Sequence, residues 1–187
     1  MASQFTHLAI AKLFIQNNPG LIKNETAFYD GSILPDLTEN KQNNSHYEDR
    51  SEKVDLIKRH REKVNPAAFL NANKLDNDLN RGVYLHLLTD WEYYNNHMDH
   101  DYLRSVQLPE AIRDFIYTSN MLDEHITKKY GISPNLLSIK QQYYKTRAEW
   151  EQTDMKRYGT INPIGKLLLT PDQIDEFIMR MSRVTLP

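Results

Sequence analysis

The residues best placed to do chemistry are His86 and Asp90, four apart in GVYLHLLTDWEYY. On a helix such residues share a face, with Cβ atoms about 5–6 Å apart, so both side chains can reach one cation. Leu85, Leu87 and Leu88 surround His86, and Trp91 follows Asp90. A carboxylate drawn into that neighbourhood is costly unless a partner compensates it. The plainer reading of the pair is a hydrogen-bonded surface contact. With no cysteine in the chain, a metal site must be built from His, Asp and Glu. That ligand set suits zinc first, with manganese or iron also compatible, at an open hydrolytic site.

Three other positions offer partners. His7 lies in the apolar run FTHLAIAKLFIQ, where the plain expectation is a satisfied core histidine. Asp36 follows GSILP, and the proline is expected to hold the chain extended there; loop aspartates commonly serve turns and caps. His46 sits in the polar stretch LTENKQNNSHYEDR, where solvent exposure is the simple expectation. Asp30 is a candidate to orient one of the histidines.

Taken in order, Thr6-His7, then Gly31-Ser32-Ile33-Leu34-Pro35-Asp36, then Ser45-His46, then Gly82 to Asp90 resembles the zinc-dependent phospholipase C family. That family shares its helical fold with the S1/P1 nucleases. The resemblance covers about residues 5–97 and implies one or two divalent metals, probed first as zinc. It implies that Asp36, His46 and His86 hold one metal, and that Asp90 bridges to a second that His7 also ligates. Such a pair activates a water and stabilises the departing oxygen of a phosphate ester. Asp36 and Asp90 are thereby the implied catalytic carboxylates, Asp36 orienting or deprotonating the water. The secreted relatives hold a third zinc through a His-x-x-x-acid pair on a later helix; here His125 is followed by Lys129, which breaks that motif. His97, seven residues after Asp90, is the candidate for the remaining ligand. Those relatives also use the amine of a processed N-terminus, a ligand that Met1-Ala2 leaves open.

The elements that must position these residues read as helices. Residues 5–16 are apolar on nearly all sides, as in a buried helix, and Asn17-Asn18-Pro19-Gly20 stops them. Residues 24–50 show little periodicity. Residues 51–64 read as an amphipathic helix with Ser51 as cap, and Pro66 opens a short helix through Ala72. Residues 76–96 form the strongest helix, with Leu79, Val83, Leu87 and Trp91 or their neighbours as its expected inner face. Pro109 opens another, with Ile112, Phe115, Ile116, Leu122 and Ile126 at helical spacing and Gly131 closing it. A long, charged and aromatic stretch follows Pro134, and Thr170-Pro171 starts a last helix. No strand pattern or repeat emerges, so the expectation is an all-α single domain of about six to eight helices.

At 187 residues, with 40% hydrophobic and 26% charged residues, the chain can bury its own core. The formal net charge of −2 supplies no basic field for nucleic acid. No run is apolar enough to insert stably in a membrane, and MASQFTHLAIAKLFIQ lacks a basic leader, so a cytoplasmic protein is expected. The expected partner is a small phosphorylated or phosphodiester substrate. Two other functions stay open. His100-Asp101 with Asp154 or Asp172 would make an HD-type phosphohydrolase, and a degenerate metal site would make a structural or interaction protein. Trp91, Tyr93 and Tyr94 are read as core before cleft wall, and Lys58, Arg59, His60, Arg61 and Lys63 as a solvated face.

Overall fold

Short polar side chains start most of the helices. The side chains of Ser3, Asn24, Asn65, Asn77 and Thr170 each accept a hydrogen bond from a backbone N–H three residues on. Thr170 adds the reciprocal bond from its own N–H to Gln173. Proline occupies the first turn after Asn65, Gln107 and Thr170, where its missing N–H costs nothing. Gly131 and Gly159 end two long helices at φ values of 59° and 70°.

A computed structural model of the chain describes residues 2–37, 45–47 and 64–187, the side chains of 100, 103, 104 and 108 excepted. The helices are α1 (Gln4–Asn17), α2 (Glu25–Ile33), α3 (Pro66–Ala72), α4 (Asp78–Glu92), α5 (His100–Ser105), α6 (Leu108–Tyr130), α7 (Lys140–Tyr158) and α8 (Pro171–Met181). A 3₁₀ turn, Leu34–Asp36, extends α2, and a π turn, Tyr93–His97, extends α4. The expected helix over 51–64, with its basic face, lies outside the described residues. No strand occurs among the described residues, so the fold is all-α as expected, in one compact domain. None of these helices is long and apolar enough to cross a membrane.

The first helix is central. It touches α2, α4, α6 and α8, and buries Leu8, Ala9, Ile10, Ala11 and Phe14 among them. Phe14, Phe28, Ile174, Phe177, Ile178 and Met181 are fully buried in the same core. This explains why the sequence of α1 is apolar nearly all round.

Three expectations need correction. The stretch after residue 24 opens as a helix, because Phe28, Tyr29 and Ile33 are buried together with the small Gly31 and Ser32. Docking rather than periodicity makes that segment helical. Pro35 does not extend the chain; it sits in the first turn of the 3₁₀ segment, which its fixed φ suits. On α4, Leu79 and Trp91 are 37% and 40% exposed, so the inner face is shifted to Gly82, Val83, Leu85, His86, Leu87, Thr89 and Asp90.

The shift follows from how α2 and α4 cross. A Cβ on Gly31 would stand 2.1 Å from the Leu79 carbonyl oxygen, and one on Gly82 would stand 2.2 Å from that of Phe28. The two backbones touch, and only glycine fits on either side. Gly82→Ala must push the helices apart. It should destabilise the protein by about 3 kcal/mol in chemical denaturation, whereas the solvent-facing Gln152→Ala on α7 should change stability by under about 0.5 kcal/mol.

Candidate metal centre

The crossing of α2 and α4 sets the first ligand. His86 is fully buried, and its Nδ1–H donates to the Ser32 carbonyl at 2.8 Å. That bond leaves the Nε2 lone pair facing inward. His46 is fixed in the same sense by a different route. The Ser45 hydroxyl donates its one hydrogen to the Pro35 carbonyl at 2.7 Å, so at 3.1 Å it must accept from His46 Nδ1–H. His46 Nε2 then also carries a bare lone pair when the ring is neutral.

These two Nε2 atoms face each other at 3.2 Å. Carboxylate oxygens complete the enclosure. Asp90 Oδ2 is 3.5 Å from His46 Nε2 and 3.6 Å from His86 Nε2, and Asp36 Oδ1 is 3.6 Å from His46 Nε2. Tetrahedral ligands at zinc distances stand about 3.3–3.4 Å from one another. His46 Nε2 thus stands from its three neighbours at about the spacing of ligands around one small cation. Asp90 turns its other oxygen the opposite way, with Oδ1 3.3 Å from His7 Nε2 and accepting the Ala2 N–H at 3.0 Å. The His7 ring stacks on His86 at 3.9 Å between centroids.

Thus two overlapping groups, His7/His86/Asp90 and Asp36/His46/His86, each hold their ligand atoms within 4.8 Å. All five residues are buried. Asp90 Oδ2 and both nitrogens of His7 have no hydrogen-bond partner among the described residues. Buried polar atoms left in that state are costly, and a cation among them removes the cost. The donor set therefore fits a divalent metal.

The metal-free electrostatics point the same way. Burial raises the Asp90 carboxyl, but the His46 and His7 rings facing it outweigh burial and hold it well below the usual carboxylate range. Burial, with His7 beside it, pushes His86 down to about 3, so that ring stays neutral. Burial also opposes charging His46, yet Asp36 and Asp90 overcome it and lift that ring to about 9. A protonated His46 thus supplies positive charge facing both carboxylates.

Of the expected site residues, the fold brings together His7, Asp36, His46, His86 and Asp90. It does not bring His97. The wider π turn rotates His97 off the ligand face of α4 and sets its ring 4.5 Å from that of Phe177, outside both groups. Asp30 does not orient a histidine; it accepts from the backbone and hydroxyl of Ser138. The broken later motif has another use. His125 Nε2 and Lys129 Nζ lie 2.9 and 2.6 Å from Asp175 Oδ2, and Tyr130 donates to Oδ1 at 2.8 Å, clasping α6 to α8. Tyr93 and Tyr94 are core, as read. Asp154 and Asp172, the distal acids of the HD-type alternative, join neither group, and the His100 side chain lies outside the described residues.

A cleft of about 420 Å³ opens beside the centre. Its lining runs from Ala2 and Asp36 past Phe115 and Asp123 to Arg147 and Trp150. Sequence reasoning missed Asp123, although a signal was there: an aspartate beside Leu122, on the inward stripe of α6. The chain matches no protein-family model, no curated protein and no solved structure.

Proton and metal compete for His46. Its folded pKa is raised, so in the metal-free protein the protonated ring contributes stability fully below about 6.5, lost as pH rises through about 9. Metal binding must run the opposite way. Chelator-competition titrations between about pH 7 and 9 should show apparent zinc affinity rising about tenfold per pH unit, one proton being displaced per ion.

Proposed function

We propose that this chain is a divalent-metal-dependent hydrolase of phosphate esters, with zinc the first metal to test and manganese or iron as alternatives. The observation that carries the reading is the pair of inward Nε2 lone pairs 3.2 Å apart, enclosed by two carboxylates at the end of an open cleft. The resemblance of the same residues, in the same order, to the zinc-dependent phospholipase C family supports it.

Asp36, His46 and His86 would hold one cation, and Asp90 would bridge it to a second held also by His7. A divalent metal there would bring the pKa of water from about 16 to about 7, worth about 12 kcal/mol, and draw charge from the phosphate. The chain's own residues do the rest. Asp36 lies on both the centre and the cleft, where it can orient the attacking water and receive its proton. Arg147 and Arg157 on the cleft wall meet the negative charge of the ester. Phe115 and Trp150 offer apolar surface to its organic part and exclude water. The cleft suits a small phosphodiester or phosphomonoester, and the net charge of −2 does not favour a nucleic-acid polymer.

Elemental analysis of purified protein should find one or two metals per chain. His86→Ala and Asp90→Ala should lose the metal and with it the hydrolysis of bis(p-nitrophenyl) phosphate, by about a hundredfold or more. Metal retained in both variants would sink the proposed ligand set. Metal without any turnover would leave the centre as a brace for the fold, with a large rise in melting temperature on loading.

A further inference from the structure

Beyond the metal ligands, the cleft holds a buried acid that the centre does not use. Asp123, on α6, is 8% exposed and lines the cleft that Asp36 also lines. It joins neither group of ligand atoms, and its Oδ1 has no hydrogen-bond partner among the described residues. Its other oxygen lies 4.0 Å from Arg147 Nη1. The first residues of the chain tie it to the centre. Ala2 donates to Asp90, and the hydroxyl of the next residue, Ser3, stands beside Asp123. Adjacent Cα atoms are about 3.8 Å apart, so a single peptide unit separates the contacts of the two carboxylates.

We propose that Asp123 is the proton donor to the leaving group in phosphate-ester cleavage, with Arg147 anchoring the phosphate beside it. This rests on the hydrolase reading above and adds to it a substrate class: esters with poor, alkyl-type leaving groups, which need a proton to depart. In the step, a water oxygen bonds to phosphorus and that water releases one proton, by way of Asp36, to solvent. The bond from phosphorus to the leaving oxygen breaks, and its electron pair goes to that oxygen. The leaving oxygen takes the proton of the Asp123 carboxyl and departs as an alcohol. The carboxylate regains a proton from solvent, so the cycle balances as ester plus water.

The surroundings suit the task. Burial pushes the Asp123 carboxyl up to about 6, against the opposing Ser3 hydroxyl and Arg147 guanidinium. Tyr93 from the π turn and Tyr143 from α7 also face it, and both stay protonated, their hydroxyls being pushed up in turn. The acid form therefore persists at a pH where an ordinary aspartate has ionised. A general acid contributes about 10²–10⁴ in rate, most where the leaving group is poor.

The test compares metal-loaded wild type with Asp123→Asn on two probes, bis(p-nitrophenyl) phosphate and dibutyl phosphate, the latter followed by phosphorus NMR. The variant should lose about a hundredfold or more on dibutyl phosphate and stay within about threefold on the nitrophenyl ester, whose leaving group departs unaided. Its metal content and melting temperature should match wild type. In metal-free protein labelled with carboxyl-¹³C aspartate, a carboxyl should titrate near 6 and vanish in the variant. Equal loss on both esters, lost metal, no such carboxyl, or a wild type that cleaves only the nitrophenyl ester would each overturn the assignment. No turnover of either ester by wild type would instead overturn the hydrolase reading, and this assignment with it.

Discussion

Two carboxylates and three imidazoles share one buried space, and their mutual electrostatics constrain everything around them. Removing a carboxylate from water costs several kcal/mol, and Asp36 and Asp90 are both almost wholly buried. Among the described residues the groups facing Asp90 are histidines, whereas Asp78 is paired with Arg81. Imidazole is the only side chain that can serve there in two ways, as a bare nitrogen toward a cation or as a cation itself. The rise of His46 and the fall of His86 express that choice residue by residue.

Holding lone pairs inward requires something to hold the protons outward, and the backbone does it. The Ser32 carbonyl takes the proton of His86, and the Pro35 carbonyl, through Ser45, dictates that of His46. Both carbonyls belong to the α2 region, which can approach α4 only because Gly31 and Gly82 bring backbone onto backbone. A packing detail at the crossing thus sets the tautomers at the centre. The same compactness turns Trp91 and Leu79 outward and leaves His86 and Asp90 inside.

The second half of the chain completes the site from outside the centre. Helices α6 and α7 wall the cleft with Asp123, Arg147 and Trp150, while His125 and Lys129 go to the clasp on Asp175. A lysine next to a histidine on a shared carboxylate fills with a protein cation the kind of position a metal can take.

The sequence by itself determined the helical class, several of the helix starts and stops, and the five residues that meet at the centre. Caps, first-turn prolines and terminal glycines act locally, so Thr170-Pro171 and Gly131 could be read where they stand. The His86/Asp90 pair was legible because a helix fixes the geometry of residues four apart. The helical state of 25–33, the turn at Pro35 and the true inner face of α4 were decided by docking, since the glycines that permit it act across 51 residues of chain. Only the tertiary structure could set His97 aside, because one π turn changes the register of a face without marking the sequence. It alone brought Asp123 to the cleft: the place beside Leu122 marks Asp123 as near the inward stripe, but which helices close over that carboxylate is set by the fold.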